Sequence, residues 1–311
     1  MNPAKAGLVL AARHGRLLLV LGLVAGVTLP SVAVAMRPWL QELVAGLMFV
    51  SALRIGPRQV MGSLRDLRQV AGLALIYQIG VPVAFWVALT GAGLAGTTVA
   101  TALLLMAAAS PISGSPNLTV IAGGDPAPAL RLLIVGTALL PLTVIPVFQL
   151  SGDMGDTSAV FAASVRLFVV ILGAAGAAFA VRHVFFRDPE PSTIAAFDGL
   201  SAMAMAVVVV GLMSSAGPTL STQPMVFLMW LAVAMAANLG MQVLAFVILG
   251  RTAFSNDKTA FAICSGNRNI ALFLVALPAS VTDPLLLFVG CYQIPMYLTP
   301  ILMKRLYSRA T

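Results

Sequence analysis

The chain has 311 residues, of which 60% are hydrophobic and 9% charged, with a formal net charge of +8 and a mean hydropathy of +1.01. Soluble domains carry about 25% charged residues, so this composition excludes an ordinary soluble domain and specifies an all-α polytopic membrane protein. The basic excess does not point to nucleic acid, because the charges fall in short loops between apolar runs, where they act as topology signals in a lipid bilayer.

Ten membrane segments are predicted, over 16–36, 38–54, 69–90, 95–122, 127–150, 158–181, 194–215, 223–250, 256–280 and 283–303. The first contains Ala33-Val34-Ala35, which fits a signal-peptidase site. Its apolar run of roughly twenty residues exceeds the 7–15 of a signal peptide's apolar region, so it reads as a helix. With ten segments both termini share one side. That side receives all of the 18 Lys and Arg except Arg37, Arg166 and Arg268. The opposite side receives Arg37 with Asp153, Asp156 and Asp283. The positive-inside rule then places both termini in the cytoplasm and the chain, multi-pass, in the plasma (inner) membrane.

Two segments carry helix breakers at their centres. Ser110–Asn117 reads SPISGSPN, where Pro111 and Pro116 each remove a helix hydrogen bond and Gly114 relaxes the chain between them. Phe261–Leu272 reads FAICSGNRNIAL and holds Ser265, Gly266, Asn267, Arg268 and Asn269. An Arg at that depth costs about 2.5–3.5 kcal/mol on insertion scales, which asks for a local purpose. Asn117 and Asn269 lie about half a chain length apart, and each break falls in the fourth helix of a five-helix half. An odd number of helices per half forces the halves to sit upside down relative to each other. The architecture predicted is therefore two inverted five-helix repeats, 1–153 and 154–311, joined at the acidic loop of Asp153 and Asp156.

A broken helix exposes unpaired N–H groups on its second half and unpaired C=O groups on its first. Such ends suit anions and cations respectively, and they are tolerated in a membrane where they line a cavity. The candidate substrate contacts are thus Ser113, Ser115, Asn117, Ser265, Asn267, Arg268 and Asn269. The alternative is that these side chains only satisfy one another at a kink. Arg166, about ten residues into the sixth segment, offers a carboxylate or sulfonate contact, or else an ion pair with Asp198 or a snorkelling charge. Asn238 and Gln242, four apart on one helix face, read as interhelical glue. Asp125 and Arg131 read as topology and capping residues. Cys264 and Cys291, in apolar runs, imply no disulfide framework, and no metal site is predicted. No HExxH, no GxSxG and no paired acids occur in the segments, and His14 and His183 flank helix ends, so an enzyme is not expected.

The chain resembles the bile acid:sodium symporters and their bacterial relatives. The resemblance covers the whole layout and is sharpest in Met48–Pro82, in Pro111–Asp125 (PISGSPNLTVIAGGD) and in Ile263–Leu272. It implies that helices 4 and 9 cross in a core domain, that helices 1, 2, 6 and 7 form a panel, and that substrate sits between the two. The family's ninth-helix pattern, roughly E-x-G-x-Q-N-[SA], falls here on Cys264, Gly266, Arg268, Asn269 and Ile270. The glutamate that would serve sodium is thus Cys264, and the glutamine is Arg268. Gln78 matches the family's third-helix glutamine, while the helix 5 positions, Ala129 and Leu133, cannot ligate a hard cation. Gln78, Cys264 and Arg268 therefore read as a vestige of the ion site, with Arg268 standing in for the lost cation. The function implied is a secondary active transporter of a small organic anion, bile-acid-like or a carboxylate or sulfonate, that works by alternating access without the usual sodium sites and without a cofactor. Proton coupling and simple exchange remain open. The alternatives are a sodium-coupled symporter of the same family, a cation–proton antiporter, and an arsenite-type efflux carrier using Cys264.

Overall fold

The structure is a computed structural model that describes residues 3–62, 67–151 and 157–308. The predicted junction at 153/154, with Asp153 and Asp156, lies outside these residues, as do Arg65 and Arg309. Among the described residues the chain is predominantly helical, without strands.

Helices α1 (Pro3–Arg13) and α2 (Gly15–Thr28) are followed by α3 (Pro30–Met36), which runs through a short 3₁₀ turn into α4 (Leu40–Gly62). The first two predicted segments therefore divide at Leu29, not at Arg37. Leu29 precedes Pro30 and sits at φ −115°, ψ 64°, because the proline ring disfavours helical geometry in the residue before it. The second segment also runs past its predicted end at Arg54. Its helix is interrupted at Gly56, φ 74°, a conformation that only glycine adopts without strain, and then resumes at Pro57. The interrupted turn frees carbonyl groups, and the Arg182 guanidinium covers those of Leu53 and Arg54, the second at 3.1 Å.

Next come α5 (Leu67–Leu75), a π turn over 76–80, α6 (Val81–Gly91), α7 (Thr98–Ala108) and α8 (Ser115–Ile121). The Thr97 hydroxyl accepts from the Ala100 N–H at 3.2 Å and caps α7. The 26-residue α9 (Pro126–Ser151) is capped by Asp125, whose Oδ1 accepts from the Ala127 N–H at 2.9 Å, the capping role expected of it. Then follow α10 (Thr157–Phe185), α11 (Pro191–Leu212), α12 (Ala216–Thr222) and α13 (Pro224–Leu249). The chain ends with α14 (Lys258–Gly266), α15 (Leu272–Ala276), α16 (Ala279–Thr282), α17 (Leu286–Leu302) and α18 (Lys304–Tyr307).

Among the described residues, seven helices are long and apolar enough to cross a membrane, or eight when the bent pair α1–α2 counts as one span. The outward surface is apolar in the same way. Leu17, Leu21 and Val24 of α2, Phe161, Val169 and Leu172 of α10, and Leu244, Val247 and Ile248 of α13 are all exposed, which only a hydrocarbon surround tolerates. The protein is a multi-pass, all-α membrane protein.

Two sets of contacts organise it. Helix α11 packs against α1, α2 and α4, and α4 against α10. Around them, α9 packs against α5, α7, α8 and α14, while α13 packs against α14 and α17. The main apolar core spans both sets, from Val44 of α4, Leu167 of α10 and Val209 of α11 to Leu140 of α9 and Phe288 of α17. Edge-on aromatic pairs Phe148–Phe273 and Trp230–Phe288 meet in it at 5.6 and 5.8 Å.

One loop carries a pH signature. Burial raises the carboxyl pKa of Asp257, the nearby Asp125 carboxylate raises it further, and Arg131 opposes both. The folded state thus holds this proton more tightly than the unfolded chain, so stability falls as pH rises through the window between the ordinary and the raised value. Asp257→Asn is expected to raise the Tm modestly at neutral pH. The gain should vanish as pH drops into the carboxylate range; a gain that persists there would assign the effect to something other than charge.

Candidate functional site

The two breaks predicted from the prolines, glycines and asparagines are where the structure interrupts its helices. Helix α7 ends at Ala108 and the chain turns extended at Ala109, φ −61°, ψ 151°; Pro111, which has no N–H to continue a helix, follows. Helix α14 ends at Gly266, and Asn267 leaves it at φ −101°, ψ 84°. The freed backbone groups pair with each other. The Ile112 N–H donates to the Asn267 carbonyl at 3.0 Å, and the Asn269 N–H donates to the Ser110 carbonyl at 2.8 Å. Pro111 and Arg268 thereby form an antiparallel bridge at the crossing of the two segments.

Arg268 is the charge at this crossing, 1% exposed. Its Nε donates to the Ser265 carbonyl at 2.7 Å and its Nη1 to the Ala109 carbonyl at 2.9 Å. These are carbonyls at the C-terminal ends of α14 and α7. Each helix end carries about half a negative charge, so two ends sum to about one, which one guanidinium balances. The guanidinium also stacks over the Tyr77 ring, 4.8 Å from its centroid. Tyr292 completes the junction: its hydroxyl donates to the Gly266 carbonyl and accepts from the Arg268 N–H at 3.3 Å.

The remaining predicted residues divide by the side they face. Ser265 donates to the Met241 and Ala262 carbonyls at 2.9 and 2.7 Å. Asn267 donates to the Ile263 carbonyl at 2.9 Å and accepts from Thr299 at 3.1 Å. Both are buried and used within the protein, and Ser115 is buried as well, its hydroxyl beside the Cys264 thiol. Gln78 donates to the Gly136 carbonyl at 2.8 Å and accepts from Thr143 at 2.9 Å. Cys264 is fully buried, its thiol 3.9 Å from the Ala129 carbonyl. Asn238 and Gln242 are the glue expected of them: Asn238 Nδ2 donates to the Gly266 carbonyl of α14 at 2.6 Å, and Gln242 Nε2 to Thr299 Oγ1 of α17 at 3.1 Å.

Ser113, Asn117 and Asn269 instead face open space. A cleft of about 650 Å³ lies between α1, α2, α4 and α11 on one side and α8 and α17 on the other, lined by Ser113, Asn117, Ser201 and Tyr297. An apolar cavity of about 280 Å³ adjoins the crossing from the α9 and α10 side, where Ser113 and Asn269 are among its few polar lining groups. Ser113 lines both. Arg166 is exposed on α10 and lines neither space; Asp198, its suggested partner, pairs with another residue.

That residue is Arg54, which the sequence had placed among the cytoplasmic loop charges. It is helical and only partly exposed, it lines the cleft, and its Nε donates to Asp198 Oδ1. Its Nη2 donates to Asn117 Oδ1 at 3.0 Å and its Nη1 to the Ser113 carbonyl at 3.4 Å. The signal for Arg54 was present in Gly56-Pro57, which marks a kink inside a helix rather than its end. Among the described residues no group of three or more His, Cys, Asp or Glu side chains could hold a metal ion.

No family model matches the chain, and no curated protein matches it.

Proposed function

We propose that the chain is a secondary carrier of a small organic anion, moving it by alternating access without chemical change, in the plasma (inner) membrane with both termini cytoplasmic. The observation that carries this reading is the main-chain pairing of two helix breaks beside a cleft that holds a half-buried arginine. Discontinuous helices at matching positions of two halves are where carriers bind substrate. The helices give up to eight spans, and this reading counts the two broken segments as the fourth and ninth, for ten spans in two inverted halves of five. The cleft lies between the α1, α2, α4 and α11 group and the elements around the crossing, which suits a panel moving against a core. The charge contacts agree with the topology. Lys5 meets Glu190 at 3.4 Å and Arg37 meets Asp283 at 2.7 Å, and each pair joins residues that the charge pattern assigns to one side.

The same geometry argues against sodium. A guanidinium already neutralises both carbonyl ends at the crossing, Gln78 is bonded to Gly136 and Thr143, and Ala129 and Leu133 bring no side-chain oxygen. The arsenite alternative gains no support from Cys264, which is sealed against Ala129 and lines neither the cleft nor the apolar cavity.

The test is thermal-shift screening of the purified protein with carboxylates and sulfonates, in sodium chloride and in choline chloride. Stabilisation by an anion, equal in both salts, is the expected result. Stabilisation by sodium chloride alone would restore the sodium-coupled symporter. Alanine at Asn269 is expected to weaken anion binding several-fold with little change in the ligand-free Tm. Parallel loss of both would reduce the breaks to kinks.

A further inference from the structure

We infer that Arg54 is the anion contact of the cleft, and that Asp198 occupies it in the empty state as a built-in competitor. This rests on the carrier reading. Arg54 is the one charge among the described residues that reaches from the α4–α11 side of the cleft to the broken segment opposite: Asp198 on α11 takes its Nε, while Asn117 Oδ1 and the Ser113 carbonyl take its Nη atoms. An arginine fork grips a carboxylate or sulfonate best through two parallel N–H donors. Asp198 takes only the Nε, and the remaining donors sit on neutral acceptors of the break. An incoming anion therefore finds a better geometry than Asp198 has.

Charge makes the exchange feasible. Arg54 passes from one carboxylate to another anionic group, so no bare guanidinium is left in a half-buried site. Asp198, 37% exposed in its side chain, is released into a cleft also lined by Arg13 and His14. The same exchange withdraws Arg54 from Asn117 and Ser113, which are its links to the broken segment. Anion binding then unlatches one wall of the cleft from the other, which is what a carrier needs at the moment of loading. Arg182 keeps this end of α4 fixed meanwhile through the Leu53 and Arg54 carbonyls.

The experiment is anion titration of the purified full-length protein by thermal shift, with choline benzoate and choline benzenesulfonate as probes. Asp198→Asn is expected to bind at least threefold more tightly than wild type, and Arg54→Gln at least tenfold more weakly. Arg54→Lys, a point charge without the fork, should fall between, and it carries the test should Arg54→Gln not be recovered folded. A purely structural ion pair makes a different prediction: both variants lower the ligand-free Tm and leave affinity alone. Wild-type affinity in Arg54→Gln or Arg54→Lys, or no gain in Asp198→Asn, overturns the inference while leaving the carrier reading intact. A wild type and an Asp198→Asn protein that both ignore the two anions overturn the inference and the carrier reading together.

Discussion

Arg268→Gln is expected to lower the Tm and to abolish the proposed transport, and Arg268→Met to lower the Tm further. The guanidinium donates to the Ser265 and Ala109 carbonyls, which belong to two different helices. Glutamine is short of one of them and methionine serves neither. A buried carbonyl left without a donor costs ~1–3 kcal/mol. The desolvation cost of the charge is relieved in both variants, so the difference between them isolates the hydrogen bond that glutamine retains. Loss of the charge has a second effect. The facing carbonyl ends regain a net demand for a cation, and Cys264→Glu beside Arg268→Gln supplies an anionic ligand close to them. The double variant is expected to be stabilised by sodium over choline, where wild type is not. Thermal shift in the two salts reads this directly; a wild type that already needs sodium would remove Arg268 from the cation's place.

Gly266→Ala is expected to disrupt the crossing as severely as any single methyl group. A Cβ built at Gly266 lies 2.2 Å from the Asn238 carbonyl oxygen and 2.5 Å from Gln242 Cγ. The first obstacle is backbone of α13, which cannot rotate away. Overpacking of this kind costs about 1–3 kcal/mol even where side chains give way. Here α13 and α14 must part, which also stretches the bond from Asn238 Nδ2 to the Gly266 carbonyl. Gly240 on the same α13 is the control, because an added Cβ there meets nothing within 4 Å. Gly240→Ala should be neutral or stabilising by up to about 1 kcal/mol. Tm and size-exclusion profiles of the two variants decide the matter, and equal behaviour would mean that the helix contact is looser than described.

What the sequence disclosed follows from where its chemistry is unusual. The breaks were legible because proline, glycine and asparagine inside an apolar run have few other uses. Arg268 was legible as a residue with a local purpose because a charge at that depth is costly; its reading as the stand-in for a lost cation came with the family resemblance, and its alternative as a substrate contact was equally open. Arg54 was not, since an arginine near the end of an apolar run, with more arginines beyond, has the signature of a topology charge; only the kink at Gly56 keeps it inside the helix. The facing of Arg166 was equally hidden. Apolar residues ring α10 on all sides, so periodicity marks no buried face on which to place a charge. Division at Leu29 instead of Arg37 reflects competition between two X-Pro steps, Leu29-Pro30 and Arg37-Pro38, of which only the first leaves helical geometry. Among the polar residues of the breaks, composition also could not separate those that hold the junction from those that face the cleft, because serine and asparagine suit both tasks.

The seam between the two breaks is stitched by Ile112 N–H to the Asn267 carbonyl and Asn269 N–H to the Ser110 carbonyl. Amide and carbonyl groups are common to nearly every residue, so the seam is indifferent to which side chains project from it. On the proposed carrier reading, selectivity is therefore free to diverge by single substitutions at Ser113, Asn117 or Asn269. Length is under the opposite constraint: one residue inserted into or deleted from either break shifts the pairing register and undoes both stitches at once. Natural variation at this junction should consist of exchanges and not of gaps.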